Sequence, residues 1–375
     1  MFFWGRVAIQ ILLWATVSAP QLTVFAQTLQ VKDLPPDTRL EKLMDGFEVI
    51  WGLDMLSEND AIVAVKSGKL FHVNFSQKTR SLIEGLPKVS TSGQAGLLDI
   101  RFSPDYAKTQ HIYFTYSKKT ANGDTTALGR ARYKMGDKSL SGVGDLFVGK
   151  TDNGSAVHFG SRITFDNDGH LFFGIGDRGE RDRAQDLSWH NGKIIRLKLD
   201  GSVPKDNPFV VTKNTLPEIY SYGHRNPQGL YFFKKEGRLF NSEHGPRGGD
   251  EINDVRKGLN YGWPVVTFGR EYYGPKIGQG TTKPGIEPPL KVYVPSIAPS
   301  SLIVYESVKI KAFTNSFILG ALVLEHLNVV SADGKKESRY LESMSKRIRQ
   351  VKETPEGNLI FTTDSGEIYR ISPKY

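Results

Sequence analysis

DNDGHLFFGIGD, residues 166–177, sets an acidic-glycine turn before a short apolar run and closes that run on a glycine and an aspartate. The same order recurs in KKEGRLFNSEHG (234–245) and TPEGNLIFTTDSG (354–366), with Leu171, Leu239 and Leu359 at the strand heads and polar residues at the strand ends. Weaker copies are SENDAIVAVKSGKLFHV (57–73), SPDYAKTQHIYFTYS (103–117) and AFTNSFILGAL (312–322), which makes six. A unit of this size is a small sheet that cannot bury its faces alone, so repetition implies stacking of neighbours. Short apolar or alternating runs between Gly, Asp, Asn and Pro clusters, with almost no long helical periodicity, place the chain in the all-β class. The expected architecture is a six-bladed β-propeller with four-stranded antiparallel blades. A β-sandwich is the alternative, because it also places turn signals between short strands.

The chain has 375 residues, 39% of them hydrophobic and 11% aromatic, which excludes a disordered polymer and permits a large core. A net charge of +9 raises nucleic acid as a partner, but the Lys and Arg are scattered, with no basic run or helix to track a phosphate backbone. Cysteine is absent, so disulfides, thiolate metal sites and Cys nucleophiles are excluded and any metal takes oxygen or imidazole ligands. The opening MFFWGRVAIQILLWATVSAPQLTVFAQ carries Arg6, an apolar stretch from Val7 to Val17 and small residues near Ala26. That order reads as a secretory signal over 1–26 with cleavage near Ala26, leaving 27–375 as a single propeller domain that is periplasmic or secreted. The apolar run is shorter than the roughly 20 residues of a membrane span, and no later segment is apolar enough to cross.

Polar clusters follow the repeats: GQAGLLDI (93–100), VHFG (157–160), GDRGER (176–181), GHRNPQG (223–229), EHGPRGGDEIN (243–253), NYGWP (260–264) and RIR (347–349). In a propeller, equivalent loops of successive blades converge on the axis and share a pocket. His158 reads as a proton-abstracting base or as a satisfied turn histidine, and Asp177 as the carboxylate that orients it or as a turn cap. Arg225, Arg347 and Arg349 offer paired N–H donors to an anion rich in carboxylates, or solvate the surface. Asp250, Glu251, Tyr261 and the carbonyls around Gly245 and Pro246 are hard oxygen donors, which suit Ca²⁺ over a transition metal.

These segments together resemble the soluble, pyrroloquinoline-quinone (PQQ)-dependent sugar dehydrogenases of the glucose/sorbosone dehydrogenase family, in particular its periplasmic aldose sugar dehydrogenase branch. The likeness runs from about Trp51 to the C-terminus and rests on GQAGLLDIRFSPDY, HFGSRITFDNDGHLFFGIGDRG, NGKIIRLKLDG, YSYGHRNPQGL, SEHGPRGGDEIN, NYGWPVV and KRIRQVKETPEGNL. The family fold is itself a six-bladed propeller. The resemblance implies that His158 is the general base, supported by Asp177, and that Gln94, Arg225, Asn226 and Tyr272 contact the quinone, with Arg347 and Arg349 facing its carboxylates. It further implies that the Gly245 and Pro246 carbonyls hold a Ca²⁺ that bridges to the cofactor, and that Glu251 and Tyr261 ligate a second, structural Ca²⁺. The reaction it implies takes the proton of an aldose anomeric hydroxyl to His158 as hydride passes to the quinone, giving a lactone. Arg225 would stabilise the oxyanion forming there.

One position departs from the family pattern. Where GAL is usually followed by a lysine aimed at the cofactor's carboxylates, this chain has Val323, and His326 or a backbone amide is the expected substitute. A Ca²⁺-dependent hydrolase or lactonase and a non-catalytic binding propeller are the competing readings. The loop Phe268–Pro284 is expected over the axis, where sugars are chosen. A basic surface is suited to steering an acidic cytochrome as electron acceptor, although a quinone would serve the same chemistry.

Overall fold

The computed structural model describes residues 28–29 and 33–374; the expected signal segment 1–26 lies outside the described residues. Six antiparallel sheets follow one another along the chain, as blade 1 (50–83), blade 2 (97–148), blade 3 (163–222), blade 4 (227–293), blade 5 (303–340) and blade 6 (348–373). Within blades 1 to 5 four strands pair in chain order. Blade 6 takes three strands from the C-terminus and one from the start of the described chain: Thr38–Met44 pairs with Ile368–Pro373, Leu40 facing Ile371. Both ends of the described chain therefore sit in one sheet and close the ring. The short strand Thr28–Leu29 adds a fifth strand to that sheet alone.

All six repeat copies fall on the same structural element, the second strand of a blade: Asp60–Val65, His111–Thr120, His170–Ile175, Arg238–Glu243, Ser316–Gly320 and Leu359–Thr363. These strands are covered on both faces by neighbouring blades, which is why they read as apolar runs more than as strict alternations. Leu171, Leu239 and Leu359 are all buried. Six large apolar clusters form, one in each gap between consecutive blades, including the gap where blade 6 meets blade 1. A sandwich would bury a single interior between two sheets, so six separate inter-blade cores exclude that alternative.

Arg162 lies at the head of the inner strand of blade 3 and reaches every other blade. Its guanidinium donates to the carbonyls of Trp51 (2.7 Å), Gln228 (3.2 Å), Ser300 (3.1 Å) and Arg349 (3.0 Å), to Asp99 Oδ1 (3.1 Å) and to Gln350 Oε1. The side chain is buried and saturated, and the axis is thereby plugged below the cavity described next.

Candidate active site

The loops that lead into the inner strands of blades 2 to 5 gather on one side of the ring around a cavity of about 740 Å³. Gln94, His158, Arg225, Gly245, Pro246 and Tyr272 all line it, as does Val323. Residues up to 229 positions apart in sequence, from Gln94 to Val323, thus face one space.

His158 is held from three sides. Its backbone sits at φ 53, in the left-handed region, and its N–H donates to Gln94 Oε1 at 2.8 Å. A Cβ on Gly176 would lie 2.1 Å from the His158 carbonyl oxygen, so only glycine allows the two backbones to approach this closely. Its ring contacts Asp177, Nδ1 to Oδ1, at 2.6 Å. Asp177 is buried and its other oxygen accepts from Trp263 Nε1 at 2.7 Å, while the Gly179 N–H donates to Oδ1 at 2.9 Å. Burial pushes the Asp177 carboxyl up, but the hydrogen bond and charge of His158, the Arg225 charge and the Gly179 N–H outweigh it and hold the carboxyl below its ordinary value. An ionised Asp177 keeps the proton on Nδ1, and Nε2 is then the basic nitrogen of a ring that lines the cavity.

Arg225 lies over the Trp263 ring at 5.3 Å and donates through Nη1 to the carbonyls of His244 (3.1 Å) and Gly245 (2.7 Å). Its backbone N–H donates to Glu243 Oε2 at 2.6 Å. Trp263 therefore supports both the base, through Asp177, and the cation. Asn226 is buried beneath the cavity, where its Oδ1 accepts from Gly160 N (3.2 Å) and Gln228 Nε2 (3.2 Å). Its place is to tie the two loops that carry His158 and Arg225, and it is absent from the wall.

Arg347 and Arg349 stand behind the wall as well. Arg349 grips Asp364 through Nε (2.7 Å) and Nη2 (2.8 Å), and Arg347 Nε reaches the same carboxylate at 2.9 Å. Burial raises the Asp364 carboxyl and the two guanidiniums more than offset that, so it is held below its ordinary value. Two cations on one anion leave a net positive charge. Arg347 Nη1 also donates to the Leu322 carbonyl at 2.7 Å, one residue from Val323. His326 is fully buried, with Nδ1 on the Leu324 carbonyl (3.0 Å) and Nε2 facing Asn328 Nδ2 (3.3 Å), so it does not reach the space beside Val323.

Glu251 and Tyr261 meet at a second, small pocket of about 10 Å³, which Glu243 and Gly245 also line. Glu243 and Glu251 are directly opposed on adjacent strands. Burial, then the neighbouring Glu243 charge, pushes the Glu251 carboxyl well above its ordinary value. Asn253 Oδ1, beside them, is buried with no hydrogen-bond partner. The Tyr261 phenol is already occupied, donating to the Asp254 carbonyl (2.6 Å) and accepting from Arg256 N (2.7 Å), which leaves its backbone carbonyl as the available ligand atom.

Glu243, His244 and Trp263 lie in segments the sequence marks as polar clusters, yet no role is assigned to them there. Glu243 becomes visible only through the strand register that opposes it to Glu251, and Trp263 only through its bond to a residue 86 positions away. His244 lines the cavity with Nε2 on the Pro299 carbonyl at 2.9 Å; burial first, then the Arg225 and His158 charges, bring its pKa down to about 3.

A closed ring of blades with a carboxylate-backed imidazole in its axial cavity defines a propeller enzyme equipped to abstract a proton. Residues 47–370 match the family model described as Glucose / Sorbosone dehydrogenase, and the chain belongs to that family. It is an oxidoreductase acting on sugar donors. It is 36% identical over 349 residues to aldose sugar dehydrogenase YliI of Escherichia coli, covering 91% of this chain and 94% of that protein. The soluble aldose sugar dehydrogenase of Escherichia coli, solved in its apo form, superposes with a TM-score of 0.86 at 36% identity, over 90% of this chain and 100% of that one. The PQQ-bound aldose sugar dehydrogenase of Streptomyces coelicolor superposes with a TM-score of 0.75 at 26% identity, over 90% of this chain and 99% of that one.

The hairpin-like loop after Thr267 hangs over the cavity and carries Tyr272. It is tied to blade 3 by Arg181, whose Nη1 lies 2.6 Å from Glu271 Oε1. Removing that tie with Arg181→Ala is expected to raise KM for sugar roughly two- to fivefold with kcat little changed, since a solvent-exposed pair is screened and holds its loop only weakly. Steady-state kinetics check this; a KM identical to that of the unaltered protein would show that the loop needs no tether.

Proposed function

We propose that the protein is a PQQ-dependent aldose dehydrogenase that is exported across the inner membrane and oxidises aldoses at the anomeric carbon to lactones. The observation that carries the reading is the His158–Asp177 pair at 2.6 Å in the axial cavity of a chain from this family. Export rests on the signal-like residues 1–26; among the described residues no helix is long and apolar enough to cross a membrane.

The donor set fits the cofactor. The cavity has room for a flat tricyclic acid, Arg225 is in its wall, and the Arg347–Arg349–Asp364 cluster adds net positive charge next to Val323. We assign to Arg347 the charge-balancing part that the family lysine would otherwise take. The carbonyls of the wall residues Gly245 and Pro246 are the Ca²⁺ ligands we propose there, Gly245 through the lone pair that Arg225 leaves free, and the opposed acid pair with the Tyr261 carbonyl fits a second, structural Ca²⁺. Bound PQQ supplies a two-electron acceptor for the sugar's hydride. The chain's own contribution is to orient the sugar against the cavity wall and to take the hydroxyl proton at His158 Nε2. Asp177 stabilises the resulting imidazolium without itself taking the proton. Arg225 sets a fixed positive charge where negative charge develops.

Reconstitution with PQQ and Ca²⁺, followed by an aldose panel with an artificial dye acceptor, tests the reading. Quinone absorbance on the protein and dye reduction are expected; neither absorbance nor turnover with any aldose would refute it. The structural Ca²⁺ gives a separate readout. A chelator is expected to lower the melting temperature of the native protein, because a cation held at about 100 times its Kd stabilises by roughly 2.7 kcal/mol. In Glu251→Gln that chelator effect should shrink or vanish, and an unchanged response would remove Glu251 from the ligand set.

A further inference from the structure

The mouth of the axial cavity is ringed by apolar side chains that the fold leaves bare. Tyr272, Val294 and Val323 belong to the wall, and Tyr273 and Leu324 follow directly on two of them. Tyr273 is 100% exposed, Val294 69% and Leu324 45%, although most large apolar residues of this protein are buried. The turn that presents Val323 and Leu324 is also strained: Leu324 (φ 67) and Glu325 (φ 46) are consecutive left-handed residues. A side chain disfavours that conformation, and backbone strain of this kind concentrates where function needs it. The turn is pinned in that shape by Val323 N to the Ile297 carbonyl (3.0 Å), Leu322 N to the Ala298 carbonyl (3.1 Å) and the His326 bond to the Leu324 carbonyl (3.0 Å).

Cations flank this collar. Arg247 and Arg270, both of the cavity wall, and Lys276, on the loop that carries Arg270, are exposed and form no ion pair among the described residues, that loop's acid Glu271 being held by Arg181. Against them stands one half-buried carboxylate, Glu325.

We propose that this apolar, cation-flanked mouth is the docking surface for an acidic one-electron carrier protein whose redox group lies beneath an apolar patch. The proposal rests on the sugar-dehydrogenase reading: oxidation of an aldose to its lactone releases two electrons and two protons. Each turnover then reduces two carriers by one electron apiece, and both protons pass to solvent. An apolar centre within a charged margin is the anatomy of a protein interface, and redox encounters belong to the small, transient class. Unpaired cations at the margin accelerate association with an acidic partner and screen out basic ones. A free lipophilic quinone would use the apolar wall but would have no use for the cations.

Leu324→Asp and Leu324→Glu each put an acid in the collar at a residue outside both the cavity wall and the loop expected to choose the sugar. The PQQ- and Ca²⁺-loaded protein is given an aldose with each of three acceptors: a small soluble dye, an acidic c-type cytochrome and a short-chain ubiquinone. Cytochrome reduction is expected to fall at least about tenfold in the acid-introducing variants and to weaken with rising salt, as steered association does. Dye reduction is expected to stay within about twofold of the unaltered protein, because a small dye needs no docking surface. Cytochrome rates that are insensitive to the variants or to salt overturn the proposal, as does a salt-independent loss confined to the ubiquinone. NMR line broadening of the same cytochrome by the unaltered protein and variants reads docking without turnover. Failure of dye reduction in the unaltered protein therefore counts against the dehydrogenase reading, and loss of salt-dependent broadening counts against the docking surface.

Discussion

Replacing His158 by alanine is expected to lower kcat for aldose oxidation by roughly 10²–10⁴-fold, the range spanned by a positioned general base. Cofactor affinity should hold within a few fold, because the positive charge comes from Arg225, Arg247 and Arg270 in the wall and from the Arg347–Arg349–Asp364 cluster behind it, not from the imidazole. Quinone titration and steady-state kinetics on the same preparation separate the two. Loss of cofactor with the side chain would recast His158 as a binding residue, and retained turnover would remove it from the chemistry. Asp177→Asn is the companion test. An amide leaves the shape but no longer requires a proton on Nδ1, so the ring can present the wrong nitrogen to the cavity, and kcat should fall by about 10² or more. The pH behaviour follows from the sign of the shift. The folded-state pKa of Asp177 lies below its unfolded value, so its contribution to stability is present above about pH 4 and is lost as pH falls through the folded value. Acid unfolding should accordingly begin at higher pH, or its steepness diminish, when the ionised pair is removed.

The second large effect is on stability. Arg162→Met removes six hydrogen bonds that tie blade 3 to the five others, and it strands Asp99, Gln350 and four carbonyls at the axis. Breaking a buried ion pair from one side costs about 3–5 kcal/mol, because the partner charge is left uncompensated. At roughly 2–4 °C per kcal/mol for a protein of this size class or somewhat smaller, the melting temperature should drop on the order of 10 °C. Calorimetry on Arg162→Met and Arg162→Lys measures this. Lysine keeps the charge near Asp99 but cannot fork to several blades, so an intermediate drop is expected. A shift under about 2 °C for methionine would mean that the six inter-blade cores hold the ring without an axial tie.

The polar ends of the strands illustrate how far local pattern reaches. Glycine turns, apolar runs and polar closures are properties of ten or twelve consecutive residues, and all six copies land on the second strand of a blade. From that repetition the convergence of His158 and Arg225 on one cavity follows, because the loops that enter successive blades share the ring's axis. The finer assignments behave differently. Asn226 is paired with Gly160, and Arg347 and Arg349 with Asp364, through side-chain choices that no strand pattern encodes. The phenol of Tyr261 is likewise consumed by its own turn, so of the oxygens this residue could offer the carbonyl is the one left.

Strand order, blade number and the clustering of chemistry at strand ends are written in the chain itself, since each depends on hydrophobic period and turn residues acting over short range. Which polar partner each buried group finds was decided by the closed ring. Trp263 meets Asp177 and Arg162 spans five blades because the folded ring brings side chains distant in the chain within hydrogen-bond reach, whereas Glu243 opposes Glu251 through the register of one hairpin; a buried donor or acceptor must then bond to whatever the geometry places beside it.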